Sequence, residues 1–289
     1  MANLIILTII SIFSVFFSHF FKKKIEETVV FSIFVIILIL YICGILSILN
    51  IGWYFICLLS LIFLFLLLHS YKKIKPKLLL TYGLGFLVIT TTISIIIHKY
   101  RLVTSFDEFN YWFLAVKNMY VNNELFTSIN SNVSAKSCPP ASTIFHYFWL
   151  KPSKDFDESL VFISMNFFIF SLIASPLSIF KKNQWKQTLM AGLFLFLIPL
   201  TLYNYIYTGA YVDGLMGLIF AYILYIYFIK KNDKFNLYTI LLALITLTLT
   251  KNTGIIFAMA AVIIIIINIL FFDKHKNNFI KKTKKISKK

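Results

Sequence analysis

Only three cysteines stand in this 289-residue chain, Cys43, Cys57 and Cys138, and no two of them have a paired or metal-ligand spacing. That excludes a disulfide framework and a thiolate zinc site. Charged residues are almost missing from the apolar runs, and those runs are continuous rather than alternating. Backbone polar groups in lipid must be satisfied internally, so continuous apolar runs read as helices and not as barrel strands. No heptad seam, no usable repeat and no soluble domain is legible. The first run lacks a basic n-region and a small-residue cleavage site, and is expected as a retained span, not a signal peptide.

What is present is apolar bulk. The chain is 60% hydrophobic with 32 Phe, and its mean hydropathy is +0.85. A soluble domain of this length does not carry that much apolar surface. The expected fold class is all-α, a polytopic membrane protein with nine spans. They fall near 3–21, 28–49, 51–70, 78–98, 159–180, 187–206, 213–229, 237–250 and 255–272, the eighth being short. Pro176 and Pro199 lie inside spans and are expected to kink them. The chain divides into a three-span segment 1–77, a core 78–272 with a large loop 99–158, and a basic tail 273–289. The bias toward Ile, Phe, Lys and Asn is that of an AT-rich genome and points to a bacterial cell membrane.

Charge is divided between two sets of connections. One set (22–27, 71–77, 181–186, 230–236 and the tail) carries 21 Lys and 4 acids. The other carries 7 Lys and Arg and 7 acids. An excess of Lys and Arg marks the cytoplasmic side, so the N-terminus is expected outside and the C-terminus inside. The basic excess therefore meets anionic lipid headgroups. The Lys-rich tail has no interleaved aromatics, and a nucleic-acid partner is not expected.

Three polar segments fall on the outer side: the loop 99–158, the run 203–214, and 250–254. In the first, Ser105-Phe106-Asp107-Glu108 has the spacing of a capping box. Phe109, Trp112, Phe113, Val116, Met119 and Tyr120 follow at helical spacing, which predicts an amphipathic helix over 106–121 lying on the outer leaflet. After Cys138-Pro139-Pro140 a second interfacial helix is expected over 140–150, with His146 on it.

The candidate site residues are weighed one by one. Asp107 and Glu108 either stabilise a helix N-terminus through its dipole or act as general base on a hydroxyl. Asp213 is an interfacial anchor or positions an acceptor. Lys251 either snorkels to the headgroups or pairs with a lipid phosphate, with Thr250, Asn252 and Thr253 adding donors. Arg101 is an anchor or a second phosphate contact. Tyr211 belongs to the same outer segments. His146 is interfacial or a site residue. His19, His69, His98 and His275 sit at span ends or in the tail and carry no expected role. Asn166 and Asn268 are expected to bond between helices. Asn132-Val133-Ser134 matches a glycosylation sequon without bearing on function. Two adjacent acids suit a divalent cation, but no metal ligand set is expected from them alone.

The run Ser105-Phe106-Asp107-Glu108-Phe109-Asn110-Tyr111-Trp112 resembles the multi-span glycosyltransferases of the GT-C fold. It is similar, more closely, to bacterial teichoic-acid and capsular polysaccharide polymerases. Cys138-Pro139-Pro140, Phe145-His146-Tyr147-Phe148, the run 207–213 and Leu249-Thr250-Lys251-Asn252-Thr253-Gly254 share that likeness, over residues 80–260. The resemblance implies a polyprenyl-linked sugar donor, a glycan acceptor, and other polymer-assembly proteins as partners, working at the outer face. Asp107 would match the catalytic carboxylate, Glu108 its partner and Lys251 a phosphate contact. Proteins of this kind are longer, so a truncated frame acting as a non-catalytic membrane subunit stands as one alternative. A transporter or flippase for lipid-linked oligosaccharide is another, and it predicts charged residues along the spans.

Overall fold

All nine apolar runs fold as helices. The computed structural model describes residues 1–128, 133 and 136–273. It contains α1 (Ala2–Phe21), α2 (Ile25–Ile45), α3 (Leu49–His69), a single turn α4 (Pro76–Leu79), α5 (Tyr82–Ile97) and α6 (Leu114–Asn122). Then come α7 (Ala141–Leu150), α8 (Glu158–Ala174), α9 (Trp185–Leu202), α10 (Val212–Ile229), α11 (Lys234–Thr248) and α12 (Gly254–Ile267). No strand occurs among the described residues. The sequon lies outside them except for Val133, as does the basic tail after Asp273.

Seven helices are long and apolar enough to cross a membrane: α1, α2, α3, α8 extended to Ile179, α9, α10, and α12 extended to Phe271. Two of the expected spans are shorter, α5 with 16 residues and α11 with 15. Their starts are fixed by side chains that satisfy orphan backbone donors. The Thr81 hydroxyl accepts from Leu84 N–H at 3.2 Å, and the Asp233 carboxylate accepts from Asn236 N–H at 3.0 Å. At Pro176 the helix of α8 gives way to a 3-10 segment, Ser175–Ile179, as a residue without an N–H requires. α9 carries Pro199 within its last turn.

α8 is the axis of the bundle and nearly all of it is buried. It packs on α5, α7, α2 and α10. α3, α9 and α12 instead expose apolar side chains such as Phe65, Phe194 and Ile263. Water would not tolerate such faces, and a bilayer does.

The connections gather at two ends. At the proximal end, where α1 begins, Trp149 donates to the Asn3 carbonyl oxygen Oδ1 at 2.6 Å and Ala141 N–H donates to the Leu249 carbonyl at 2.6 Å. At the distal end Lys23 pairs with Asp233 at 2.6 Å and Lys230 with Glu27 at 2.8 Å, tying α2, α10 and α11 together. Lys24 donates to the carbonyls of Ser178 and Phe180, both at 2.7 Å. Among the described residues, the interhelical connections separated by charge in the sequence thus occupy opposite ends.

Two expectations change. α7 is not interfacial: every residue from Ala141 to Leu150 is buried, packed against α8, α2, α6 and α1. An interfacial helix needs an exposed polar face, and the few polar residues of this one, Ser142, Thr143 and His146, are buried with the rest. The helix expected over 106–121 runs from Phe106 to Asn122, but Glu108–Phe113 is a π turn. Its wider i→i+5 spacing brings Glu108 and Phe113 inward together, and both are buried.

Candidate functional site

Four stretches meet at the proximal end: 98–107 after α5, the π turn with α6, 203–211 between α9 and α10, and 249–253 between α11 and α12. Glu108 is the residue they enclose, only 3% exposed. Its Oε1 accepts the Ala210 N–H at 2.6 Å. Gly209 makes this approach possible, since a Cβ there would stand 2.9 Å from Oε1 and 2.8 Å from the Tyr211 ring. Burial raises the Glu108 carboxyl above its ordinary value, against the opposing Ala210 N–H and the nearby Arg101 charge.

The capping box is therefore only half present. Ser105 Oγ accepts from Glu108 N–H at a long 3.4 Å, while the Glu108 side chain reaches across to Ala210 instead of back to Ser105. The Ser105 hydroxyl is shared with the Tyr211 hydroxyl at 2.5 Å. Asp107 points elsewhere. It is exposed and makes no hydrogen bond or ion pair among the described residues.

Arg101 is half-buried, its guanidinium 4.6 Å from the centre of the Phe162 ring. Tyr203, Tyr205 and Tyr211 form an aromatic triangle with ring centres 6.1 to 6.3 Å apart. Burial pushes the Tyr203 hydroxyl up to about 12, helped by the charges of Asp213 and Glu108. Lys251 forms an ion pair with Asp213 at 2.6 Å. Asn252 beside it is exposed with no side-chain partner among the described residues.

Arg101, Glu108, Tyr211, Asp213 and Lys251 are thus gathered at one end, with Asp107 and Asn252 next to them in the chain. His146 is not part of the gathering. It is wholly buried on α7, its Nδ1 sits 2.6 Å from Ser164 Oγ, and burial drives it down to about 3. Among the described residues no three His, Cys, Asp or Glu side chains converge as a metal group would need. Asp107 and Glu108 diverge, one to solvent and one inward, so they do not form a paired oxygen ligand.

Asn166, expected to bond between helices, and His98, expected to carry no role, form a polar cluster around Ser94. Asn166 Nδ2 donates to Ser94 Oγ at 3.1 Å and to the Tyr207 carbonyl at 3.0 Å, so it does bond between helices. His98 Nδ1 sits 3.0 Å from the Ser94 carbonyl, and its Nε2 and Asn166 Oδ1 are buried without a hydrogen-bond partner among the described residues. Burial lowers the His98 imidazole, with the Arg101 charge adding to the effect. The sequence signal was there: His98 ends the span 78–98, three residues before Arg101 on the outer loop.

Alongside runs a groove between α8, α9 and α10, with a volume of about 570 Å³. Tyr203 and Asp213 stand at its mouth. Its floor on α10 is Gly214, Gly217 and Ala221, small residues three and four apart, and it reaches Tyr225. From Asp213 to Tyr225 is twelve residues, or about 18 Å of helix. Leu195, Ile198, Leu202, Leu172 and Ile173 supply apolar walls.

Fold and site together define an α-helical, polytopic membrane protein with a buried carboxylate and an ion pair at one end. No family model matches the chain, and no curated protein or solved structure matches it.

Proposed function

We propose that this protein transfers a sugar or glycan unit from a polyprenyl-phosphate or -diphosphate carrier to a surface polymer, at the outer face of a bacterial membrane. The observation that carries the reading is the apolar groove whose mouth holds the Asp213–Lys251 pair. A lipid-linked donor needs an apolar slot for its chain and a polar head site at the slot's end, and both are adjacent here. The nine helices then act as nine crossings, with α5 and α11 the short ones. The Lys-poor proximal end is outside by the charge rule.

In the proposed step the acceptor hydroxyl attacks the anomeric carbon. The new glycosidic C–O bond forms as the bond from that carbon to the carrier phosphate breaks. Glu108 takes the hydroxyl proton, and the phosphate leaves with the bonding pair. Glu108 is favoured over Asp107 because its pKa is raised by burial and its orientation is fixed by Ala210. Lys251, held at the mouth by Asp213, exchanges that carboxylate for the departing phosphate as charge builds there. Tyr211 and Ser105 offer hydroxyls to orient the acceptor.

The test is complementation of a deletion strain with Glu108→Gln, followed by analysis of surface polymer and lipid intermediates. Loss of polymer with build-up of the polyprenyl-linked unit, at normal membrane levels of the protein, is the expected result. Undiminished polymer would defeat the reading.

A further inference from the structure

The distal end of the bundle holds a second cavity, of about 530 Å³, that the transfer reaction does not use. Glu26, on the first turn of α2, lines it and is 1% exposed. Its Oε2 accepts a hydrogen bond from the Thr81 hydroxyl at 2.6 Å, while its Oε1 is buried with no hydrogen-bond partner among the described residues. Buried polar atoms in native proteins find partners, because leaving one unmade forfeits its hydration. A donor is therefore missing at Oε1. The carboxylate lies this close to α5 because position 83 is glycine; a Cβ there would fall 2.7 Å from Glu26 Cγ.

The rim is basic. Lys24, Lys77 and Lys182 line it against the single carboxylate. Lys24 spends two of its N–H bonds on the Ser178 and Phe180 carbonyls, leaving one. The ammonium groups of Lys77 and Lys182 are exposed and have no ion-pair partner among the described residues. Beyond the rim the wall is apolar, with Leu84, Val88 and Leu177. Leu84 and Val88 also line a further cavity of about 370 Å³ that follows α5 to Ile95, between α5 and α1. Leu84 to Ile95 spans eleven residues, about 16 Å of helix. That is close to half the hydrocarbon thickness of about 30 Å, the depth of one leaflet.

We infer that this end binds an anionic phospholipid whose headgroup carries a hydroxyl. The phosphodiester lies among Lys24, Lys77 and Lys182, which hold it as point charges. The headgroup hydroxyl donates to Glu26 Oε1. One acyl chain follows the furrow along α5. Free phosphate has the charge for the rim but nothing to fill the furrow.

The experiment uses the full chain, purified in detergent, with lipid retention read by native mass spectrometry. Equal amounts of phosphatidylglycerol, phosphatidic acid and phosphatidylcholine compete, with and without inorganic phosphate. Phosphatidylglycerol should be retained over both others, and inorganic phosphate should not displace it. The double variant Lys77→Gln with Lys182→Gln should lose the preference over phosphatidylcholine, by about fivefold for each lysine. Both positions are exposed, so folding is not at stake. Glu26→Ala should lose the preference over phosphatidic acid and keep the preference for negative charge. Equal retention of the three lipids by the unaltered protein would overturn the inference. So would an unchanged preference in the lysine variant, or displacement by inorganic phosphate. No transfer assay enters, so these outcomes are independent of the proximal site.

Discussion

Glu108 and Asp107 are neighbours in the chain that meet different surroundings. A general base contributes about 10²- to 10⁴-fold to a rate, so Glu108→Gln should cost that much in a transfer assay with purified protein. Asp107→Asn should cost little. In the proposed step Glu108 must be ionised, so activity should rise with pH through the Glu108 pKa. Because burial raises that pKa, the acid limb should lie above the 4.5 of an ordinary glutamate, and it should vanish in the glutamine variant. Gly209→Ala tests the same contact from the other side. Its methyl would press on Oε1 and on the Tyr211 ring, so it should cost about 1 to 3 kcal/mol of stability and depress activity further than that. A thermal-unfolding series run beside the assay separates the two effects. Residue identity was legible here and residue geometry was not. The acidic pair could be found from its place beside a span, but which carboxylate turns inward depends on the π turn and on Ala210, a hundred residues away. Lys251 reads as a lone ammonium in sequence because its partner, Asp213, lies in another connection.

At the scale of elements, the distal clamp makes a sharper stability prediction than the proximal site. Lys230 and Glu27 are both mostly buried, their side chains 14% and 9% exposed. Removing one partner strands the other's charge, which typically costs about 3 to 5 kcal/mol. Lys230→Ala should therefore lower the thermal midpoint strongly in detergent. The joint replacement Lys230→Met with Glu27→Leu should recover most of that loss, since well-packed apolar residues often match a buried pair. If the single and double variants melt alike, the pair is not acting as a coupled unit. The helices of the apolar runs were the most legible elements, because continuous apolar runs have one physical solution in lipid, and seven of the nine are long enough to cross it. α7 was misread for an instructive reason. Its start was found from the Pro139-Pro140 turn, but it was expected at the interface. The better signal was the missing polar face: only Ser142, Thr143 and His146 interrupt the apolar residues, and Thr143 and His146 are satisfied locally, by the Pro140 carbonyl and by Ser164.

For the whole molecule, everything turns on which end faces which solvent. Among the described residues the structure separates the two sets of connections, and charge gives the expected orientation: 13 Lys on the described distal connections, with eight more in the sequence of the tail, against 7 Lys and Arg on the proximal ones. Each Lys near an anionic leaflet is worth about 1 kcal/mol, so the excess biases insertion heavily toward a distal end in the cytoplasm. This is open to direct measurement in intact cells. The three native cysteines are first replaced by serine or alanine, which costs little because none is paired. Single cysteines are then placed at Asn252 on the proximal end and at Asn183 on the distal end, both exposed. A membrane-impermeant maleimide should label Asn252→Cys in whole cells and leave Asn183→Cys untouched until the membrane is opened. Labelling of both from one side would break the antiparallel bundle apart. The reverse pattern would keep the bundle but put Glu108, Asp213 and Lys251 in the cytoplasm. A polymer growing outside the cell could not be extended from there, and the transfer reading would fall while the geometry of the site survived.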